Sequence, residues 1–168
     1  MLVLRATQKV LRYLPTPVNS PGESDTALGD WFVNRLVVNR SPLLLLVSSS
    51  SLLAVLVPAR DVRALPARLA LIVSGRLKRL GIPGELVEAE TRAAGEVVVA
   101  KTNNRSVIGS MNDFANLLSV YLEERSYATA EKKLAETPCL SGRRIGEGFY
   151  PGRRAAELLE RKWKRSPH

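Results

Sequence analysis

Apolar positions in the first third of the chain fall in short runs, and turn-forming residues separate them. Leu2 to Thr7 reads as a short strand, followed by a helix over Gln8 to Leu14 that Pro15 stops. Thr16 to Gly29 holds Pro17, Asn19, Ser20, Pro21, Gly22 and Ser24, the composition of a loop suited to be mobile. Trp31 to Asn39 carries Val33, Val37 and Val38 and predicts a strand, with a turn at Arg40-Ser41-Pro42. Leu43 to Val47 and Leu52 to Val57 predict a hairpin around Ser48 to Ser51. Their unbroken apolar character suits strands that are covered on both faces or central in the sheet. The serine run lacks the Asn-Gly signature of a tight turn, so the turn type stays open.

Helical periodicity takes over beyond Asp61. Asp61 to Leu80 reads as a helix with Pro66 near its first turn and Gly81 as its stop. Ile82-Pro83-Gly84 separates it from a second helix over Glu85 to Ala93. Glu96 to Lys101 alternates and is β-branched, so it predicts a strand. Val107, Met111, Phe114, Leu118 and Tyr121 then mark the core face of a helix from about Arg105 to Glu124, capped by Asn103 or Asn104. Ala128 to Glu136 is a shorter helix that Thr137-Pro138 ends. Ser141 to Gly152 reads as a Gly- and Arg-rich loop, and Arg153 to Lys164 as a terminal helix with Leu158, Leu159 and Trp163 on its apolar side. The order β-α-β-β-β-α-α-β-α-α-α predicts an α+β domain with a mostly antiparallel or mixed sheet of about five strands, packed with helices. The 168 residues suit one such body over residues 1–152, with a basic helix and tail over 153–168.

The polar side of the Arg105 helix is the most distinctive chemistry in the chain. Arg105, Gly109, Asn112 and Asn116 lie within roughly 60° of one another around the axis. A glycine inside a helix costs about 1 kcal/mol relative to alanine, so Gly109 invites a ligand or a second backbone to come close. Arg105 and Ser106 stand where a strand passes into a helix N-terminus, which suits a phosphate or carboxylate. The plainer reading is that Asn104 caps the helix, Ser106 supports the cap and Arg105 pairs with an acid. Asn34, three residues beyond Trp31 and so on the other face of its strand, can join the polar side. Asn34, Thr102, Arg105, Ser106, Asn112 and Asn116 are therefore the candidate ligand-binding set. Asp113 is the one carboxylate inside the segment and gives weak support for a metal or a general base.

Composition removes several chemistries. Cys139 is the only cysteine and His168, at the C-terminus, the only histidine. A histidine at the chain's end argues against a Ser-His or Cys-His pair, the counts exclude a thiolate cluster and a histidine zinc site, and no metal or cofactor is assigned. Acid–base work by carboxylates, Lys or Tyr remains open, so enzyme and binding protein both stay in play. No Walker loop or dinucleotide fingerprint is present. A single cysteine and no evident signal peptide point to the cytoplasm. The apolar stretch Pro42 to Val57 is too short and too serine-rich to span a membrane.

The net charge of +9 and pI of about 10.2 attract polyanions. Eight Lys/Arg and three acids lie between Gly142 and His168, and a second basic cluster runs from Arg60 to Arg79. Arg60, Arg63, Arg76, Lys78, Arg79, Arg143, Arg144, Arg153, Arg154, Arg161, Lys162, Lys164 and Arg165 are the candidate nucleic-acid contacts. In the terminal helix they fall all around the axis, which fits phosphate attraction better than base reading. A solvated surface, or an acidic protein partner for the tail, explains the same charges. An aromatic fraction of 5% argues against base-stacking platforms.

Several short motifs are similar to those of a family of uncharacterised bacterial domains, itself a domain of unknown function. They are Thr7-Gln-Lys9 in the first helix, Trp31-Phe-Val-Asn34 in the second strand, the Gly81-Ile82 step, and Lys101-Thr102 with Arg105-Ser106 and Asn112. The resemblance runs from about Met1 to Leu159 and implies no activity. It suggests a mobile-element, toxin–antitoxin or defence setting for a nucleic-acid-associated protein.

Overall fold

The computed structural model describes residues 1–123, 126–139 and 148–164. Its elements follow the expected order: β1 (Leu2–Ala6), α1 (Gln8–Leu11), β2 (Trp31–Val38), β3 (Ser41–Ser48), β4 (Ala54–Pro58), a 3-10 segment over Ala59–Ala64, α2 (Leu65–Leu80), α3 (Gly84–Ala94), β5 (Val97–Lys101), α4 (Arg105–Tyr121), α5 (Tyr127–Ala135) and α6 (Pro151–Trp163). The strands form one sheet in the order β4-β3-β2-β1-β5. β1 pairs in parallel with β2 and β5, whereas β2–β3 and β3–β4 are antiparallel. The sheet is thus mixed, with β3 alone running against the other four, and the domain is α+β.

Period-2 alternation through the apolar strands divides the interior in two. Leu44 and Leu46 join Trp31, Val33, Leu2 and Leu4 in a first core, with Leu69, Leu77, Leu86 and Leu159 of the helices. Leu43, Leu45 and Val47 point the other way, into a second core with Val107, Met111, Phe114, Leu118 and Leu134. All five of these β3 side chains are fully buried, as expected for a strand covered on both faces. Each burial contributes roughly 1.5–3 kcal/mol. α6 belongs to this body, since Ala155 and Leu159 have no exposed surface.

Local differences from the pattern have local causes. The β2–β3 turn is the two-residue step Asn39-Arg40, both at positive φ (50° and 68°), and the strand resumes at Ser41. Positive φ at both central residues is what a tight hairpin needs, and an arginine there carries no turn signal in sequence. Pro42 lies beyond the last β3–β4 pair, Leu43 with Pro58, so its missing N–H breaks no bond to β4. α1 stops at Leu11, short of the expected Leu14, and single turns carry the chain on to Leu14. α4 ends at Tyr121, with Leu122 as its C-cap, short of the expected Glu124.

The long segment between α1 and β2 is a loop, and a tied one. Val18 N–H donates to Val99 O on β5 at 2.8 Å, and Ser24 Oγ accepts from Val3 N–H at 2.9 Å. Asp30 joins it to Arg5 of β1 at 2.7 Å. Deeper in, the buried Glu90 of α3 accepts from Ala27 N–H, Leu28 N–H and the indole Nε1 of Trp163 in α6 at 2.7, 3.1 and 3.0 Å. Burial pushes the Glu90 carboxyl above the ordinary range for glutamate, against the pull of these three donors.

A second buried acid serves β4, the strand at the other side of the sheet. Glu131 of α5 accepts from Leu56 N–H at 2.9 Å, and Arg76 of α2 donates to Ala54 O at 2.9 Å. Arg76 also reaches Glu131 O, and Arg79 binds the Glu131 carboxylate at 3.0 Å. Side chains thus meet the carbonyl of Ala54 and the N–H of Leu56.

Candidate functional site

A groove of about 940 Å³ lies where α2 ends, α3 begins, and α5 and α6 come together. Local sequence explains the convergence. Gly81 ends α2 in a left-handed conformation (φ 87°) that a residue with Cβ adopts at a cost. Pro83 and Pro151 start α3 and α6, where their missing N–H groups are harmless. Gly152 lets the first turn of α6 sit against its neighbours. A Cβ there would stand 3.2 Å from Leu80 and 3.3 Å from the Cβ of Ala135.

Arg79 from α2, Lys132 from α5 and Arg153 from α6 meet at this groove, above apolar walls that include Leu80, Ile82, Leu86 and Ala156. Arg76 also lines it, so basic residues outnumber the acids Glu136 and Glu160 by four to two. Tyr150 lies beside α6, 44% exposed, with the Arg153 guanidinium 5.8 Å from its ring centre. It is the one aromatic among the exposed large hydrophobic residues described. An aromatic face beside cations over an apolar floor can take a flat apolar group joined to an anion.

The predicted cations divide sharply. Arg76 is 3% exposed, its guanidinium spent on Ala54 O and Glu131 O, and is therefore no surface contact. Arg60, Lys78 and Arg161 are exposed. Arg63 is exposed too, with its guanidinium over Tyr13, while Lys162 lies over Trp163 and Lys164 pairs with Glu160 at 3.5 Å. Arg154 is half-buried over Phe149, and its Nε is enclosed without a hydrogen-bond partner. Arg143, Arg144 and Arg165 lie outside the described residues.

The other candidate set gathers only in part. Ala6 of β1 registers with Val33 of β2 and Lys101 of β5, so Asn34, Thr7 and Thr102 follow at one end of the three parallel strands. Thr7 Oγ1 donates to Asn34 Oδ1 at 2.8 Å, and Arg5 donates to Lys101 O at 2.9 Å. The expected cap is found: Asn104 Oδ1 accepts from Ser106 and Val107 N–H. Lys101 and Arg105 are exposed, and neither has an ion pair among the described residues. Asn112 and Asn116 are exposed along α4, Asn116 about 16 Å from Arg105 by helical rise, beyond the reach of one small ligand. Outside its own helix, no described residue has an atom within 4 Å of where a Cβ on Gly109 would be, so no second described backbone accounts for it.

Glu90, Glu131 and Lys132 were not among the predicted residues. Their signal exists for the two acids and for Arg76. Glu90 falls on the stripe Leu86, Val87 and Ala94, Glu131 beside Ala130 and Leu134, and Arg76 between Val73 and Leu80. A charge on an apolar stripe is a buried charge waiting for a partner. Cys139 is buried and its thiol is pushed up to about 11, mainly by burial, so it is a poor nucleophile at neutral pH. Among the described residues no group of three or more His, Cys, Asp and Glu could hold a metal, and no helix is long and apolar enough to cross a membrane.

A family model described as a domain of unknown function, DUF6933, matches residues 3–154. The chain belongs to that family. No curated protein and no solved structure matches it.

Proposed function

We propose that this DUF6933 protein is a nucleic-acid-binding protein that holds a single-stranded segment in the groove between α2, α3, α5 and α6. The observation that carries the reading is the meeting of Arg79, Lys132 and Arg153 with an exposed tyrosine over one apolar floor. Phosphates lie against the three cations, and a base lies against Tyr150, whose face accepts any base. Exposed Arg60, Arg63, Lys78, Arg161 and Lys162 extend the field beyond the groove and raise the local concentration of a polyanion. The mixed lining suits a flexible strand, which can turn a base toward the tyrosine while its phosphates face the cations.

Anisotropy of a labelled single-stranded oligonucleotide, titrated at several salt concentrations, tests this. Three neutralised phosphates predict a slope of log K against log salt near −2, at about −0.7 per contact. Lys132→Ala with Arg153→Ala should bring the slope above about −1, and Tyr150→Ala should weaken binding by about 1–3 kcal/mol. No binding at low salt, or binding that ignores salt, overturns the reading. Capture of an acidic peptide in preference to the oligonucleotide would reassign the groove to a protein partner.

A further inference from the structure

We infer that the ends of β1 and β5 form a second, separate site, which takes a small phosphorylated molecule. β1 and β5 are neighbouring parallel strands. The chain leaving β1 enters α1, whose Val10 packs in the first core, whereas the chain leaving β5 enters α4, whose Val107 and Met111 pack in the second. Two adjacent parallel strands whose continuations part to opposite faces open a crevice at their carboxyl ends, the place where open sheets bind ligands. What stands at that crevice is polar. Thr102 follows β5, exposed Lys101 and Arg105 hold no ion pair among the described residues, and the Thr7–Asn34 pair closes the β1 side.

Asn104 already occupies Ser106 and Val107 N–H, so an anion here is met by side chains rather than by the free end of α4. Gly109, one turn beyond Arg105, is the independent sign of a ligand. It carries the helix penalty of glycine, and outside its own helix no described residue stands within 4 Å of where a Cβ would be to explain it. Two cations with a hydroxyl match the oxygens of a phosphate monoester, and the bare backbone at Gly109 leaves room for the body attached to it. Different elements build this site and the groove, so each can fail alone.

Thermal unfolding of the full chain with AMP or with inorganic phosphate tests the site, with calorimetric titration to fix the dissociation constant. At about ten times that constant, the probe should raise the melting temperature by about 3–6 °C. Arg105→Ala and Thr102→Val, both changes away from the core, should abolish the rise while leaving oligonucleotide binding unchanged. Lys132→Ala with Arg153→Ala should keep the rise. Absence of a rise with both probes overturns the site, as does a rise that survives Arg105→Ala. A rise lost only in the Lys132/Arg153 variant places the phosphate in the groove and overturns it equally.

Discussion

The first turn of α6 and the outer stripe of α4 share a composition, a glycine among arginines and polar residues, and differ in everything around it. Gly152 is hemmed in by Leu80 and Ala135, and α6 is further fixed where Trp163 meets Glu90. Gly109 faces open space, and Arg105, Asn112 and Asn116 beside it are exposed. One glycine is there because two helices and a third must touch. The other has no such reason among the described residues. A glycine in a helix thus points outward for its explanation only after its neighbours have been counted, and that count separates packing from candidate function.

The largest break in this comparison should come from Glu90→Ala. It strands the N–H groups of Ala27, Leu28 and Trp163 and releases α6 together with the loop, for a loss of about 3–5 kcal/mol in urea unfolding. Gly152→Val forces the α6 turn away from Leu80 and Ala135 and should lower stability by about 1–3 kcal/mol by the same measurement. Gly109→Ala should have the opposite sign, a gain of about 0.5–1 kcal/mol, because nothing must move and a helix penalty is removed. A loss there would show that α4 is crowded after all. The smallest effect is expected from pH. The Glu90 pKa is raised in the folded state, so its contribution is fully present below the unfolded value of about 4.3 and declines as pH rises through the folded value. The stability of the parent relative to Glu90→Gln should therefore fall from about pH 4 towards neutrality, and a flat difference would remove the buried charge from the account.

Much of the fold is legible because periodicity and chain breakers are local properties. The run Leu43 to Val47, Gly81 and Asn104 each specify an element or its end without knowledge of the rest. The Asn39-Arg40 turn is not legible, because its positive φ values are imposed by the strands on either side and arginine has no preference for them. The groove was hidden for a different reason. Arg79, Lys132 and Arg153 come from three helices far apart in sequence, and only packing makes them neighbours. Charge counting also placed Arg76 outside, although its position between Val73 and Leu80 puts it on the buried stripe of α2. The strand-end residues were readable as a motif, and the register then supplied what spacing lacks, the adjacency of Asn34, Thr7 and Thr102.

The side chains that meet the outward backbone of β4 have a consequence for how this molecule can assemble. An unmet N–H and carbonyl at the rim of a sheet invite another chain to lie alongside and continue the ladder. At Leu56 and Ala54 those invitations are already accepted, by Glu131 and Arg76. A peptide or a second copy arriving at that stretch would have to displace a buried carboxylate and an arginine to reach those two groups. Edge-to-edge pairing along residues 54–56 is thereby hindered, and removing Glu131 would be expected to ease it as well as to weaken the fold.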